Sequence, residues 1–116
     1  MKIQTYNDGE VKIYKTDDIS EKGKMPKEAL VLKEKFRYNE RIVGMTRFFI
    51  AKQYNNKISR LIRIQRKEDI LEDDIAIPND GKQYRIVQIQ YPEDTEPKSM
   101  DLSLERLITD YDIAGI

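Results

Sequence analysis

The sequence predicts an all-β domain, a small barrel or a sandwich, and three observations carry that prediction. Several stretches alternate apolar and polar residues with the period of two that a half-buried strand requires. Two Asn-Asp-Gly tripeptides, Asn7 to Gly9 and Asn79 to Gly81, sit between such stretches. These residues tolerate positive φ and favour hairpin turns. No long run has helical spacing; the best helical candidate, TRFFIAKQY, is short.

Taken along the chain, KIQTY and EVKIY flank the first tripeptide and read as a hairpin. KTDDISEKGKMPKEA is polar, contains Gly23 and Pro26, and reads as a connection. In LVLKEKFRY, Leu30, Leu32, Phe36 and Tyr38 share one strand face, with Glu34 interrupting it. In KISRLIRIQR, Ile58, Ile62 and Ile64 share a face with Arg60. KEDILEDD reads as an acidic link with room for one helical turn. The second tripeptide joins DIAIP to KQYRIVQIQY as a second hairpin, and the change of phase between Ile86 and Val87 calls for a β-bulge. PEDTEPKS, with two prolines, reads as a loop. SMDLSLERLI places Met100, Leu102 and Leu104 opposite Asp101, Ser103 and Glu105, and its last residues also suit a helical turn. TDYDIAGI reads as a flexible tail, about residues 110–116. The pattern gives about five to seven short strands. The expected core is Leu32, Phe36, Ile58, Ile62, Ile64, Ile86, Ile89, Leu102 and Leu104.

At 116 residues the chain is expected to form a single domain, residues 1–116. It has no cysteine, so neither a disulfide nor a thiolate zinc site can form, and no histidine, which removes the commonest general base and metal ligand. No apolar run reaches the length of a membrane span. The opening MKIQTYNDGE lacks an apolar signal core, so the chain is expected to stay in a cytoplasm.

Charge is distributed unevenly. The chain balances 21 basic against 21 acidic residues, yet the segment from Lys35 to Arg66 holds nine bases and one acid, Glu40. That segment is therefore +8 and the remainder −8. Lys33, Lys35 and Arg37 fit the solvated face of a strand. Between Arg41 and Lys52, however, bases alternate with Phe48, Phe49, Ile50 and Tyr54 around Gly44. Arg41, Arg47 and Lys52 are candidates to meet a polyanion or an acidic face of a neighbouring subunit, and Phe48, Phe49 and Ile50 are candidates for an apolar contact between subunits. The acidic candidates for such a contact are Glu68, Asp69, Glu72, Asp73 and Asp74; Glu93, Asp94 and Glu96 follow later. A molecule with complementary faces can join copies of itself head to tail, and such contacts make rings where they close.

Catalysis finds little support. EDILEDD lacks the ligand spacing and central glycine of a calcium loop and reads as a solvated link. The five glycines are scattered and form no phosphate loop. Tyr84 and Tyr91 can serve as stacking platforms for bases or as half-buried packing residues. The reading is of a non-enzyme with no cofactor and no metal.

The order KFRYNERIVGMTRFFIAKQYNNKISRLIRIQR, then DDIAIPNDGKQYRIVQIQY, then MDLSLERL resembles the head–tail adaptor family of tailed bacteriophages, also called head-closure or stopper proteins. The likeness spans roughly Lys33 to Leu107 and rests on the order and spacing of loose motifs. EVKIYK stands where an Arg-rich opening strand is usual in that family, and the chain after Thr109 is unmatched. The resemblance implies a small antiparallel β-barrel with a long loop, here about Asn39 to Asn56, between early strands. It implies a ring, commonly of twelve copies, in the virion neck, assembled in the bacterial host cytoplasm. Portal or adaptor rings would lie above it, tail-completion or tail-tube proteins below, and double-stranded DNA would pass through its channel. The resemblance implies no membrane partner. Two rivals are a tail-completion ring protein and a stand-alone OB-like module for single-stranded nucleic acid.

Overall fold

The computed structural model describes residues 2–18, 28–41 and 58–113. Among them the fold is all-β: β1 (Lys2–Ile3), β2 (Gly9–Asp18), β3 (Glu28–Arg41), β4 (Arg60–Gln65), β5 (Ile75–Ile77), β6 (Tyr84–Gln90), β7 (Thr95–Glu96), β8 (Ser99–Arg106) and β9 (Asp112–Ile113). Seven of these strands form one sheet in the order β2-β5-β6-β8-β4-β3-β9, and a further β2–β3 ladder joins its flanks. Six strands thus close into a barrel-like ring of antiparallel ladders, with β9 added in parallel on β3. Closure leaves few free edges, which suits a domain with a lean core.

The ring encloses one apolar cluster, built on Val11, Ile13, Tyr38, Ile62, Ile64, Ile70, Ile86, Met100, Leu102 and Leu104, with Phe36 and Ile89 packed against it. Alternation explains most of it, because Ile62 and Ile64 on β4 and Met100, Leu102 and Leu104 on β8 stand two apart and face inward. A second, smaller cluster of Tyr14, Leu30 and Ile75 is covered by Ile77, Leu107, Tyr111 and Ile113.

Bulges decide which cluster a residue joins. Ile13 faces Glu34 and Tyr14 faces Leu32, so Lys33 is left over on β3. Beyond that extra residue the faces of β3 exchange. Phe36 and Tyr38 pack in the ring's core while Leu30 joins the second cluster, and Leu32 is 47% exposed. Leu32 therefore does not belong to the core, contrary to the strict alternation of LVLKEKFRY. Ile58 is only half-buried. The expected bulge on β6 is present: Ile86 pairs with Leu104 and Gln88 with Ser103, leaving Val87 as the extra residue.

The two turn tripeptides behave differently. Asn79 to Gly81 closes the β5–β6 hairpin, with Gly81 at φ +73° and its amide donating to the Pro78 carbonyl. Asn7 to Gly9 closes no hairpin. Lys2–Ile3 pairs instead, in parallel, with Thr95–Glu96. The Asp8 carboxylate is taken up by the Glu40 amide (2.7 Å) and the Asn39 side chain (2.8 Å), just where the β2–β3 ladder ends. Gly9 lies against Asn79, whose side chain a Cβ at Gly9 would strike at 2.1 Å, and Asn79 Oδ1 accepts from the Glu10 amide.

Other segments are more ordered than expected. KTDD extends β2, and β7 lies inside the proline-rich loop. KEDILEDD forms turns rather than a helical turn, with Ile70 plugged into the core. Part of the segment read as a flexible tail is tied down: β9 pairs with Ala29 and Leu30, and the Gln83 side chain holds both backbone groups of Tyr111. TRFFIAKQY lies outside the described residues.

Leu102→Ala, at a fully buried site, should lower unfolding free energy by ~2–5 kcal/mol. Leu32→Ala should cost less than ~1 kcal/mol. Urea denaturation of the two variants checks the β3 phase change; an equal loss at both sites would contradict it.

Candidate functional site

The basic segment enters the fold at the β3–β4 junction. Asn39, Glu40 and Arg41 pair with Arg63, Ile62 and Leu61, so the two stems of the insertion lie side by side. Arg41 is exposed at the root and its guanidinium reaches Asn39 Oδ1 at 3.5 Å. Arg47, Phe48, Phe49, Ile50 and Lys52 lie outside the described residues.

One residue braces the two stems. Arg60, the first residue of β4, donates through Nε to Glu40 Oε1 (2.8 Å), and its other nitrogens reach Glu40, Asp80 (3.3 Å) and the Tyr38 hydroxyl (3.3 Å). Its guanidinium lies 5.7 Å from the ring centres of both Tyr38 and Tyr84, within cation–π range. The Tyr84 hydroxyl donates to Asp80 Oδ2 at 2.7 Å. The cluster therefore ties β3, β4 and the β5–β6 turn together. Burial opposes the charge on Arg60, but Glu40 and Tyr38 outweigh it, and the guanidinium is held well above its ordinary value. Burial would likewise raise the Asp80 carboxyl. The hydrogen bonds from Tyr84 and the Lys82 amide, with the Arg60 charge, outweigh burial and hold it below the ordinary carboxylate value. Burial and the bond to Asp80 push the Tyr84 phenol up.

Arg63 and Arg66, further along β4 and just past its end, are also engaged within the chain. Arg63 and Asp101, cross-strand partners on β4 and β8, form a buried two-pronged pair at 2.6 and 3.0 Å, and Gln4 caps Arg63 at 2.9 Å. Asp101 holds the Arg63 guanidinium above its ordinary value, against burial. Arg66 donates to the Ser99 and Pro92 carbonyls and lies 4.9 Å from the Tyr91 ring centre. Lys35 and Arg37 remain at the surface, lining a groove of about 550 Å³ with Thr5, Tyr6, Asn7, Phe36 and Gln65. The charges of Arg60 and Arg63 are thus offset inside the subunit.

The acidic candidates divide. Glu68, Asp69, Glu72 and Asp73 are exposed on the β4–β5 connection, with Asp73 at φ 73°. Asp74 is buried; its carboxylate accepts from Lys33 Nζ (2.7 Å) and the Leu71 amide (2.9 Å). It anchors the connection to the bulged residue of β3 and does not contribute to an exposed acidic face. Among the described residues, no group of histidine, cysteine or carboxylate side chains is placed to hold a metal ion.

Tyr84 is buried beside Arg60, and Tyr91 is covered on one face by Arg66, so these tyrosines do not form an open stacking row. The Arg60 cluster was not read from sequence. Its one signal was an arginine on the apolar face of Ile58, Ile62 and Ile64; its acids come from two distant strands or turns. No family model matches the chain, and no curated protein matches it either.

Two predictions test these electrostatics. Arg63→Met should destabilise by ~3–5 kcal/mol, because Asp101 is left charged and buried, whereas the double variant Arg63→Met/Asp101→Leu should recover much of the loss; chemical unfolding of the three variants reads both. The lowered Asp80 value implies stability that is present above the unfolded carboxylate value and lost as pH falls through the lower folded one, below about pH 4. The stability difference between the native chain and Asp80→Asn should therefore shrink between pH 7 and pH 3 in denaturant titrations.

Proposed function

We propose that the chain is a head-closure subunit of a tailed-phage neck, a ring-forming structural protein that extends the portal channel, helps to retain packaged DNA and offers a docking surface to the tail. The observation that carries this reading is the position of the basic insertion. It leaves a closed ring of strands between β3 and β4, and its stems are clamped together by Arg60. The ordered motifs that resemble the head-closure family supply the biological context. In this reading Arg41, Arg47 and Lys52 face DNA or an adjacent ring, while Phe48, Phe49 and Ile50 pack between neighbours. Glu68, Asp69, Glu72 and Asp73 provide acid for the next subunit.

The internal pairing of Arg60 and Arg63 favours the proposed role. DNA must slide through a neck channel, and a dense ring of unpaired arginines would hold phosphates too strongly. With Arg60 and Arg63 bracing the scaffold, the insertion and the exposed Lys35 and Arg37 of β3 contribute to the channel field.

Mass spectrometry of phage particles from a lysate of the source strain, separated into tail-free DNA-filled heads and free tails, tests the reading. The chain should be in the DNA-filled heads. Its presence in free tails alone would favour a tail-completion ring, and its absence from all particles would overturn a neck role. Replacing Arg41, Arg47 and Lys52 together by Ser should leave the thermal midpoint within a few degrees of the native chain and reduce the yield of DNA-filled particles.

A further inference from the structure

We propose that the C-terminal segment, residues 111–113, is an exchangeable strand, and that its seat on β3 accepts the same segment from a second copy of this chain. The seat has a backbone part and an apolar part. Ala29 and Leu30 pair in parallel with Asp112 and Ile113, and Tyr14, Leu30 and Ile75 form the pocket that Leu107, Tyr111 and Ile113 cover. Gln83 completes it as a strand would: its Nε2 donates to the Tyr111 carbonyl (2.9 Å) and its Oε1 accepts from the Tyr111 amide (2.8 Å).

The seat recognises the segment by its sequence, not by its connection to the rest of the chain. An identical segment from a neighbour makes the same contacts, which is why exchange of an identical element is a low-cost route to assembly. The connection is suited to opening. Ile108, Thr109 and Asp110 are exposed between the end of β8 and Tyr111. The ion pair across them, Arg106 to Asp110 at 3.2 Å, joins side chains that are 39% and 54% exposed, so it constrains the hinge weakly. The closed arrangement also leaves apolar surface beside the seat. Ile108 is fully exposed, and Leu32 lies two residues beyond Leu30 on β3. A neighbour arriving with its own segment can cover both, and removal of that surface from water favours the exchanged form.

Exchange handed on from copy to copy is a heterologous contact, which closes as a ring or continues as a filament. The inference does not require the neck reading, since it concerns only copies of this chain in solution.

The chain has no cysteine, so introduced pairs report cleanly. Ala29→Cys and Asp112→Cys, made on separate chains carrying different tags, can form the register-matched disulfide only between chains. Native mass spectrometry sets the concentration at which the full chain self-associates. Mixing the two variants there and oxidising should give a cross-linked heterodimer as the main product, its yield falling at least tenfold on a hundredfold dilution. The doubly substituted chain should shift from multimer to monomer cross-links over the same range. Only intrachain cross-links at every concentration, or a full chain that stays monomeric throughout, would overturn the proposal. If Ala29→Cys fails to fold, a donor dye on Asp112→Cys and an acceptor on the exposed Thr16→Cys replace it. Concentration-dependent energy transfer between separate chains then supports exchange, and its absence overturns it.

Discussion

Lys33 has no partner on β2, and the fold turns on that extra residue. The β2–β3 ladder runs the full length of β2 and closes the ring, so any change of phase within it redistributes side chains between inside and outside. On one side of the bulge Phe36 and Tyr38 complete the inner cluster; on the other Leu30 and Tyr14 build the outer one. Without it Leu30 would point into a ring already filled by Ile62, Ile64, Leu102 and Leu104, and the C-terminal segment would have no pocket to cover. The ammonium of Lys33 then pairs with buried Asp74, so the irregularity that divides the two clusters also anchors the β4–β5 connection.

Electrostatics follow the same geometry. Antiparallel pairing places Arg63 directly across from Asp101, and Gln4 from the N-terminal segment completes the bonds that a buried pair requires. At the opposite end of β4, Arg60 collects Glu40 from β3 and Asp80 from the β5–β6 turn. These pairs use arginines that composition assigns to a basic patch, and they are worth more to the arrangement of strands than to the surface potential. Among the described residues, Lys35, Arg37 and Arg41 on β3 and Glu68, Asp69, Glu72 and Asp73 in the β4–β5 connection keep exposed charges, interspersed with others such as Glu40, Lys67 and Lys82.

The sequence by itself determined the strand class, the β5–β6 hairpin, the bulge at Val87 and the inward faces of β4 and β8. Each depends on nearest neighbours: alternation, a turn tripeptide, a break in phase. Tertiary structure decided what depends on distant residues. Asn7 to Gly9 has the chemistry of a hairpin turn, but Asp8 meets Glu40 and Asn39, and Gly9 meets Asn79, so the chain before them pairs with β7 instead. Leu32 has the spacing of a core residue, yet one unpaired neighbour moves it outward. Asp74 has the composition of a surface acid, yet Lys33 draws it inside. The Arg60 cluster was illegible because its parts, Tyr38, Glu40, Asp80 and Tyr84, are joined only when the ring closes. A linear pattern records which face a residue prefers, but the partners that satisfy a buried charge are chosen by ladder register, and register is set by the whole closed sheet.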